Sequence, residues 1–271
     1  MTTAAGFDEF LTAVKGPAGA KTVVVTGAGV SLASGIPTFR GSDPGAVWAN
    51  DVTEKGTRAY FKREPHESWL WYLKRFELAR GAKPNDAHRA LVGWEQWQER
   101  NQRDFLLVTQ NVDTLHEQAG SRALVKVHGS LDQARCTRIH CTQGPPRGTI
   151  PMAELDFGPL HANPDPETVP RCPVCKSKLR PHVLWFDELY NEHASYQFDH
   201  VMRRAKWATL VVFIGTSFSV GITELVSERA WLNGAQVFSI DPSGNSPSPS
   251  IRVVAARAEE VLPRMVAALP S

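Results

Sequence analysis

Three constellations in this sequence combine residue types and spacings that suit chemistry. The first is Gly27-Ala28-Gly29 with Ser31 and Ser34, placed directly after Val23-Val24-Val25. Two glycines permit positive φ and let backbone N–H groups approach a ligand closely. Serine hydroxyls at this point would cap a helix whose N-terminus suits a pyrophosphate; an ordinary strand-to-helix turn has the same look. Gly35-Ile36-Pro37-Thr38-Phe39-Arg40 then sets an aromatic ring and a guanidinium just beyond the turn. The second constellation is Gln110-Asn111-Val112-Asp113, followed downstream by His128-Gly129. An amide and a carboxylate two residues apart fit a ligand site at the end of a parallel strand, and equally a capping cluster for the helix containing Leu115. His128 could be a general base or a satisfied structural side chain. The third is Cys136, Cys141, Cys172 and Cys175. Two close pairs in an intracellular chain read as a metal site rather than as disulfides, and four thiolates suit a closed, structural tetrahedral zinc. His140 stands beside Cys141 as an alternative ligand.

Short apolar runs position these groups. Val23–Val25, Asp104–Thr109, Leu124–Val127, Thr209–Ile214 and Gln236–Ile240 have the β-branched, continuous character of buried parallel strands. They end respectively at Gly27, at Gln110, at His128, at Gly215-Thr216-Ser217 and at Asp241-Pro242-Ser243. Polar residues crowded at the C-terminal ends of parallel strands mark the ligand side of an open α/β sheet. The spacing predicts an α/β fold, with a Rossmann-like parallel-sheet domain and a smaller inserted domain made of a zinc ribbon and a helical module. The core would span approximately 1–40, 84–130 and 190–271, the helical module 41–83 and the zinc module 131–189. Phe7, Phe10, Leu11 and Val14 recur at helical spacing near the N-terminus, and Asn85 precedes a helix carrying His88 and Leu91. Glu67–Arg80 reads as another helix. The proline-rich stretch between the cysteine pairs reads as a long surface excursion.

Composition narrows the function classes. Thirty basic against 28 acidic residues gives no reason to invoke nucleic acid or a membrane surface. A hydrophobic content of 42% with 21% charged residues is that of an ordinary globular chain of 271 residues. No apolar run approaches the ~20 residues needed to span a bilayer. The first residues lack the basic and apolar regions of a secretory signal, so the expected location is cytoplasmic.

Gly27, Ala28, Gly29, Ser31, Ser34, Gly35, Ile36, Pro37, Phe39 and Arg40, together with Thr109–His116 and His128, resemble the signatures of the sirtuins. These are the NAD-consuming protein-lysine deacylases. The resemblance covers nearly the whole chain. It departs at Thr38, where most members carry aspartate, at Asp187 in place of a glycine, and at Asp241 in place of an asparagine. It implies NAD as a consumed co-substrate, held by Gly27, Ala28, Gly29, Ser31, Phe39, Arg40, Gln110, Asn111, Asp113, Gly215, Thr216, Ser217, Asp241 and Ala258. His128 would be the catalytic base, with Asn111 and Asp113 orienting the nicotinamide ribose. Ser31 and Arg40 would hold the diphosphate side, and Phe39 would shield the anomeric carbon. Arg180–Glu188 resembles the family's return strand, whose backbone pairs with the substrate peptide and whose apolar residues, here Val183 and Phe186, line the acyl-lysine channel. A structural zinc on the four cysteines would complete the protein.

By the same resemblance, the acyl oxygen displaces nicotinamide, and His128 then removes a proton from a ribose hydroxyl. The products are free lysine, nicotinamide and O-acyl-ADP-ribose. The base should titrate near neutrality. An NAD glycohydrolase or ADP-ribosyltransferase using the same nucleotide site is the alternative; the cysteine pairs and Arg180–Glu188 argue for the deacylase. Tyr72 and Arg75, three residues apart on one helical face, are either part of a solvated basic face or a grip for an acidic acyl group. With Thr38 and Arg180-Pro181-His182-Val183 they resemble class III sirtuins, which implies a preference for succinyl or malonyl over acetyl lysine. The implied partners are acyl-lysine proteins or peptides and NAD.

Overall fold

In the computed structural model, which describes residues 5–38, 52–244, 246 and 248–270, Val23, Val24 and Val25 are fully enclosed at the middle of β1 (Lys21–Thr26). β1 is the pivot of the large sheet. On one side it pairs in parallel with β2 (Asp104–Thr109), which pairs with β3 (Leu124–Lys126). A second, antiparallel sheet is built from β4 (Gly129–Cys136), β5 (Ile150–Pro151) and β6 (Leu179–Val183), in the order β5-β4-β6. On its other side β1 pairs with β7 (Leu210–Ile214), followed by β8 (Gln236–Ile240) and β9 (Arg252–Val254). The order β3-β2-β1-β7-β8-β9 reverses direction between β1 and β7. That reversal opens the crevice where doubly wound sheets bind their ligands.

Both faces of the large sheet are covered, which is why its strands read as unbroken apolar runs. Helices Phe7–Lys15, Asp86–Arg100 and Ala258–Ala267 pack on one face through Phe10, Trp94, Leu262 and Met265. Helices Phe198–Trp207 and Gly221–Leu232 pack on the other through Val201, Ala205, Ile222 and Val226. Asn85 caps its helix as expected, accepting from the backbone N–H of Ala87 and of His88. No described helix is long and apolar enough to cross a membrane.

The two excursions close on each other. Phe61, Trp69, Tyr72 and Leu73, from helices Arg58–Arg63 and Pro65–Arg80, share one core with Leu131, Ala134, Leu179 and Trp185. The Trp69 indole N–H donates to the Leu179 carbonyl of β6 at 2.8 Å. The proline-rich stretch is not a mere surface excursion: Ile150, Met152, Leu160 and Val169 are buried in this same core. Its prolines limit regular structure without keeping the apolar residues between them in water. The return strand is also shorter than expected. It ends at Val183, and Leu184–Glu188 turns away because the Glu188 side chain is drawn into the interior, as described below.

Candidate active site

Two turns meet backbone to backbone at the crevice. The Gly27 N–H donates to the Ile214 carbonyl at 2.9 Å and the Gly29 N–H to the Gly215 carbonyl at 2.8 Å. A Cβ on Gly29 would lie 2.7 Å from the Gly215 Cα, and Gly215 itself sits at φ +57°. The glycines therefore serve first to let the β1 and β7 turns touch. Their N–H groups are engaged with protein rather than held open for a phosphate, which corrects the simplest sequence expectation. Ala28 through Ser34 form a 3-10 helix, so Ser31 and Ser34 lie inside it rather than capping it.

Ser31 instead turns inward. Its Oγ donates to the Asp113 carboxylate at 3.0 Å and accepts from the Asn111 amide at 3.1 Å. The same amide group donates to the Gly27 carbonyl at 3.1 Å. The other Asp113 oxygen accepts the Leu115 N–H at 3.0 Å, so the residue is at once a cap and a member of the network. Of the sequence alternatives, the local one is realised in part, through the Asp113–Leu115 bond. Ser31, Asn111 and Asp113 are all buried, at 1%, 4% and 8% exposure, which fixes their orientation before any ligand arrives. Gln110 ties the segment to the opposite turn by donating to the Thr216 hydroxyl at 3.2 Å.

His128 follows β3 and faces this network's edge. Its Nδ1 lies 2.8 Å from the Gln110 carbonyl and its Nε2 lies 3.2 Å from the Tyr190 hydroxyl. A carbonyl only accepts, so Nδ1 carries the proton and Nε2 presents the lone pair. Burial, only partly offset by the Gln110 carbonyl, pushes the imidazole down to about 4. The expectation of a pKa near neutrality is corrected: the ring is neutral throughout the ordinary pH range, already in the form a base requires.

The remaining predicted nucleotide residues ring the same strand ends. Thr216 is buried and Ser217 exposed, its hydroxyl 2.7 Å from that of Ser219. Asp241 is half-buried at the end of β8 and accepts the Ser243 N–H at 2.9 Å. Ala258 is buried at the start of the last helix. Phe39 and Arg40 lie outside the described residues.

The predicted acyl and peptide residues line the smaller domain. Val183 is buried and Phe186 is 53% exposed. Tyr72 is enclosed, and burial raises its phenol pKa against the positive charges of Arg180 and Arg75, which lower it. Arg75 lies flat on Trp71, its guanidinium carbon 3.2 Å from the ring centre, and donates to the Trp71 carbonyl at 2.9 Å.

Sequence reasoning read Arg180–Glu188 as a return strand and missed the side-chain platform that it builds beneath Tyr72. Trp185 stacks on the Arg180 guanidinium at 3.1 Å. The Glu188 carboxylate accepts from Arg180, from Arg135 at 3.3 Å, from Arg58 at 3.0 Å and from the Trp185 backbone N–H at 3.0 Å. Burial would raise the Glu188 carboxyl, but Arg180 and Arg135 outweigh it and hold the group down to about 2. Asp187, the residue that departs from the family glycine, accepts the N–H groups of Arg58 at 2.7 Å and Ala59 at 3.1 Å. It thereby holds the start of helix Arg58–Arg63, a side-chain role that glycine could not fill. The signal was present in the run of Arg180, Trp185, Asp187 and Glu188, but pairing across more than 50 residues has no local mark.

The four cysteine Sγ atoms lie within 4.8 Å of one another, with Cys136 and Cys175 at 3.4 Å and Cys141 and Cys172 at 3.6 Å. Tetrahedral zinc with Zn–S bonds of about 2.3 Å needs S–S separations of roughly 3.8 Å, so the cluster fits. Hydrogen bonds from Ser177 lower the Cys175 thiol, whereas burial raises that of Cys136. His140 is exposed and outside the cluster.

The Sir2 family model matches residues 27–221. An NAD-dependent protein deacylase of Leptospira interrogans is 37% identical over 248 residues, covering 91% of this chain and 92% of that protein. One of Thermus thermophilus is 38% identical over 230 residues, covering 84% of this chain and 82% of its own. Among solved structures, a Sir2 homologue mutant in complex with ADP-ribose superposes with a TM-score of 0.78 at 31% identity, covering 96% of this chain and 95% of that one. A Sir2 homologue–NAD complex superposes with a TM-score of 0.76 at 30% identity, covering 98% and 95%.

Proposed function

The chain belongs to the Sir2 family, and from that premise we propose that it is an NAD-dependent protein-lysine deacylase. NAD is its consumed co-substrate, and one structural zinc sits on Cys136, Cys141, Cys172 and Cys175. The observation that carries this reading is the joint arrangement of a neutral His128, lone pair on Nε2, with the Ser31–Asn111–Asp113 network at the crevice between β1 and β7. NAD supplies the electrophilic ribose carbon; the residues do the rest. Asn111 and Asp113, buried and cross-linked, orient the ribose without reorganising as charge develops on it. His128 Nε2 takes the proton of a ribose hydroxyl, and the Gln110 carbonyl steadies the imidazolium through Nδ1–H. Thr216, Ser217, Asp241 and Ala258 would hold the adenosine side, and the close Gly27–Gly29 turn would leave room for the diphosphate beside it. By the family resemblance, Ser31 and Arg40 would hold the diphosphate side and Phe39 would shield the anomeric carbon from water. Held by these four thiolates, a closed structural zinc would tie the small domain together without supplying chemistry to the reaction.

The acylated lysine would lie along the Val183–Phe186 segment, bonded through its backbone, so that varied target sequences are accepted. The preferred acyl group is succinyl or malonyl, with acetyl as a weaker substrate. This is supported by Tyr72, whose oxygen accepts the Trp185 indole N–H and whose own proton is left for a ligand, and by the positive charges of Arg75 and Arg180 felt at that phenol. Mass spectrometry of succinyl-, malonyl- and acetyl-lysine peptides incubated with the protein and NAD tests both levels. NAD-dependent release of free lysine supports the deacylase, and the order of rates decides the acyl preference.

A further inference from the structure

The lone pair that the reaction needs is already engaged. The Tyr190 hydroxyl lies 3.2 Å from His128 Nε2 and also accepts the Ile222 backbone N–H at 3.2 Å. With that N–H on its oxygen, the phenol's single proton is free to point at Nε2, the only acceptor on a ring whose Nδ1–H is committed to Gln110. The Tyr190 ring is held in place by stacking, at 5.2 Å and 14° on Phe198 and at 5.7 Å and 27° on His128. Tyr190 belongs to the turn Tyr190–Glu192 that leads from the small domain back to the large one, so its position is tied to both.

The geometry points to Tyr190 as a positioning residue that holds the base in reserve. In the free enzyme its hydroxyl occupies the His128 lone pair, and the ribose hydroxyl of the substrate must take its place before a proton can move. This rests on the deacylase reading above. An imidazole nitrogen has one lone pair, so tyrosine and ribose compete for it. The exchange replaces one hydrogen bond with another, and it occurs only when a ribose hydroxyl is present. A base occupied in this way is withheld from water while the site is empty. After the exchange the phenol still accepts from Ile222, so the start of helix Gly221–Leu232 keeps its partner.

Among the described residues, the titratable groups around His128 leave Tyr190 as the one that meets it directly. Asp113, on the Gln110 segment, is turned to Ser31 and the Leu115 N–H. Lys126 is directed to the Asp113 carbonyl, Ser130 and Glu117. Glu224, in the first turn of the helix beyond Ile222, is exposed. The Tyr190 phenol is raised by burial, against the Ile222 N–H, and stays protonated.

Tyr190→Phe keeps the ring stack and removes the competing proton, together with the oxygen that accepts the Ile222 N–H. Two measurements on the whole protein test the proposal. In the first, NMR titration of the His128 imidazole in the free protein should give a pKa higher by roughly half to one pH unit in Tyr190→Phe, because the lost bond favoured the neutral ring. In the second, kcat/KM on whichever acyl-lysine peptide the wild type turns over should rise about two- to tenfold at pH 7.5, with its acid limb moving up in step with the NMR value. An unchanged His128 pKa overturns the proposal, as does a kcat/KM that falls at every pH. If wild type and variant both fail to deacylate any peptide, the functional reading fails, while the NMR arm still decides whether Tyr190 holds the base.

Discussion

Trp185 donates its indole N–H to the Tyr72 hydroxyl at 2.9 Å. The bond joins the return segment of the zinc module to the helical module and fixes which way the phenol's proton can point. Trp185 is itself clamped by Arg180, and Arg180 by Glu188. The Tyr72 hydroxyl is thus oriented by a chain of contacts that ends in a buried ion cluster.

For acyl selectivity, Tyr72→Phe and Arg75→Met should each lower kcat/KM for succinyl lysine by about ten- to a hundredfold, since a charge-assisted hydrogen bond is worth roughly 1.5–3 kcal/mol. Acetyl lysine should be affected little. Equal losses on both substrates would place Tyr72 and Arg75 outside acyl recognition.

For the base, His128→Ala should cut deacylation by ~10²–10⁴-fold while leaving the far-ultraviolet spectrum and melting curve near those of the wild type. Because the neutral ring persists down to about 4, the wild-type kcat/KM should show no loss between pH 8 and about 5.5 from this group. A steep acid limb centred near 6.5 would contradict the burial argument.

Stability should fall on acidification. His88, His128 and His193 are each pushed down to about 4, and His182 to about 2, in every case chiefly by burial. Unfolded histidines titrate near 6.5. Below that pH the unfolded chain binds protons that the folded chain refuses. The folded state is therefore favoured fully above about 6.5 and loses ground as pH drops toward 4. Glu188 extends the trend: its folded pKa is depressed, so its stabilisation is complete above 4.5 and fades toward 2. Melting temperatures measured at pH 7.5, 6 and 5 should decline in that order, and a flat series would refute the assignment.

Glu188→Gln should be among the most damaging single changes in the small domain. It leaves Arg135 and Arg180, at 1% and 4% exposure, without their shared counter-charge. Breaking a buried pair in this way costs about 3–5 kcal/mol. Urea denaturation compared with the wild type measures it, and a loss below ~1 kcal/mol would mean that the cluster relaxes into solvent.

Purified protein should contain one zinc per chain, and chelation should lower the melting temperature. Cys141→Ala should lose the metal and His140→Ala should keep it. The reverse outcome would make His140 the fourth ligand.

Much of this was legible in the sequence because it rests on local pattern. Short apolar runs at Val23–Val25, Asp104–Thr109 and Gln236–Ile240 read as strands covered on both faces, and their polar C-terminal ends announce the crevice. Paired cysteines announce their cluster. What only the tertiary structure decided is which partner each polar group takes. Ser31 was legible as a hydroxyl near a phosphate turn, but its engagement with Asn111 and Asp113, some 80 residues away, required the parallel register of β1 and β2. Arg135, Arg180 and Glu188 form one cluster only because β4 and β6 pair antiparallel. The pKa of His128 was misjudged for the same reason: the sequence gives the imidazole, but its desolvation is set by the residues that fold around it. Tyr190 carries no motif at all. Its hydroxyl reaches His128 because the chain returns from the small domain beside the start of helix Gly221–Leu232, a placement set by packing rather than by any spacing along the chain.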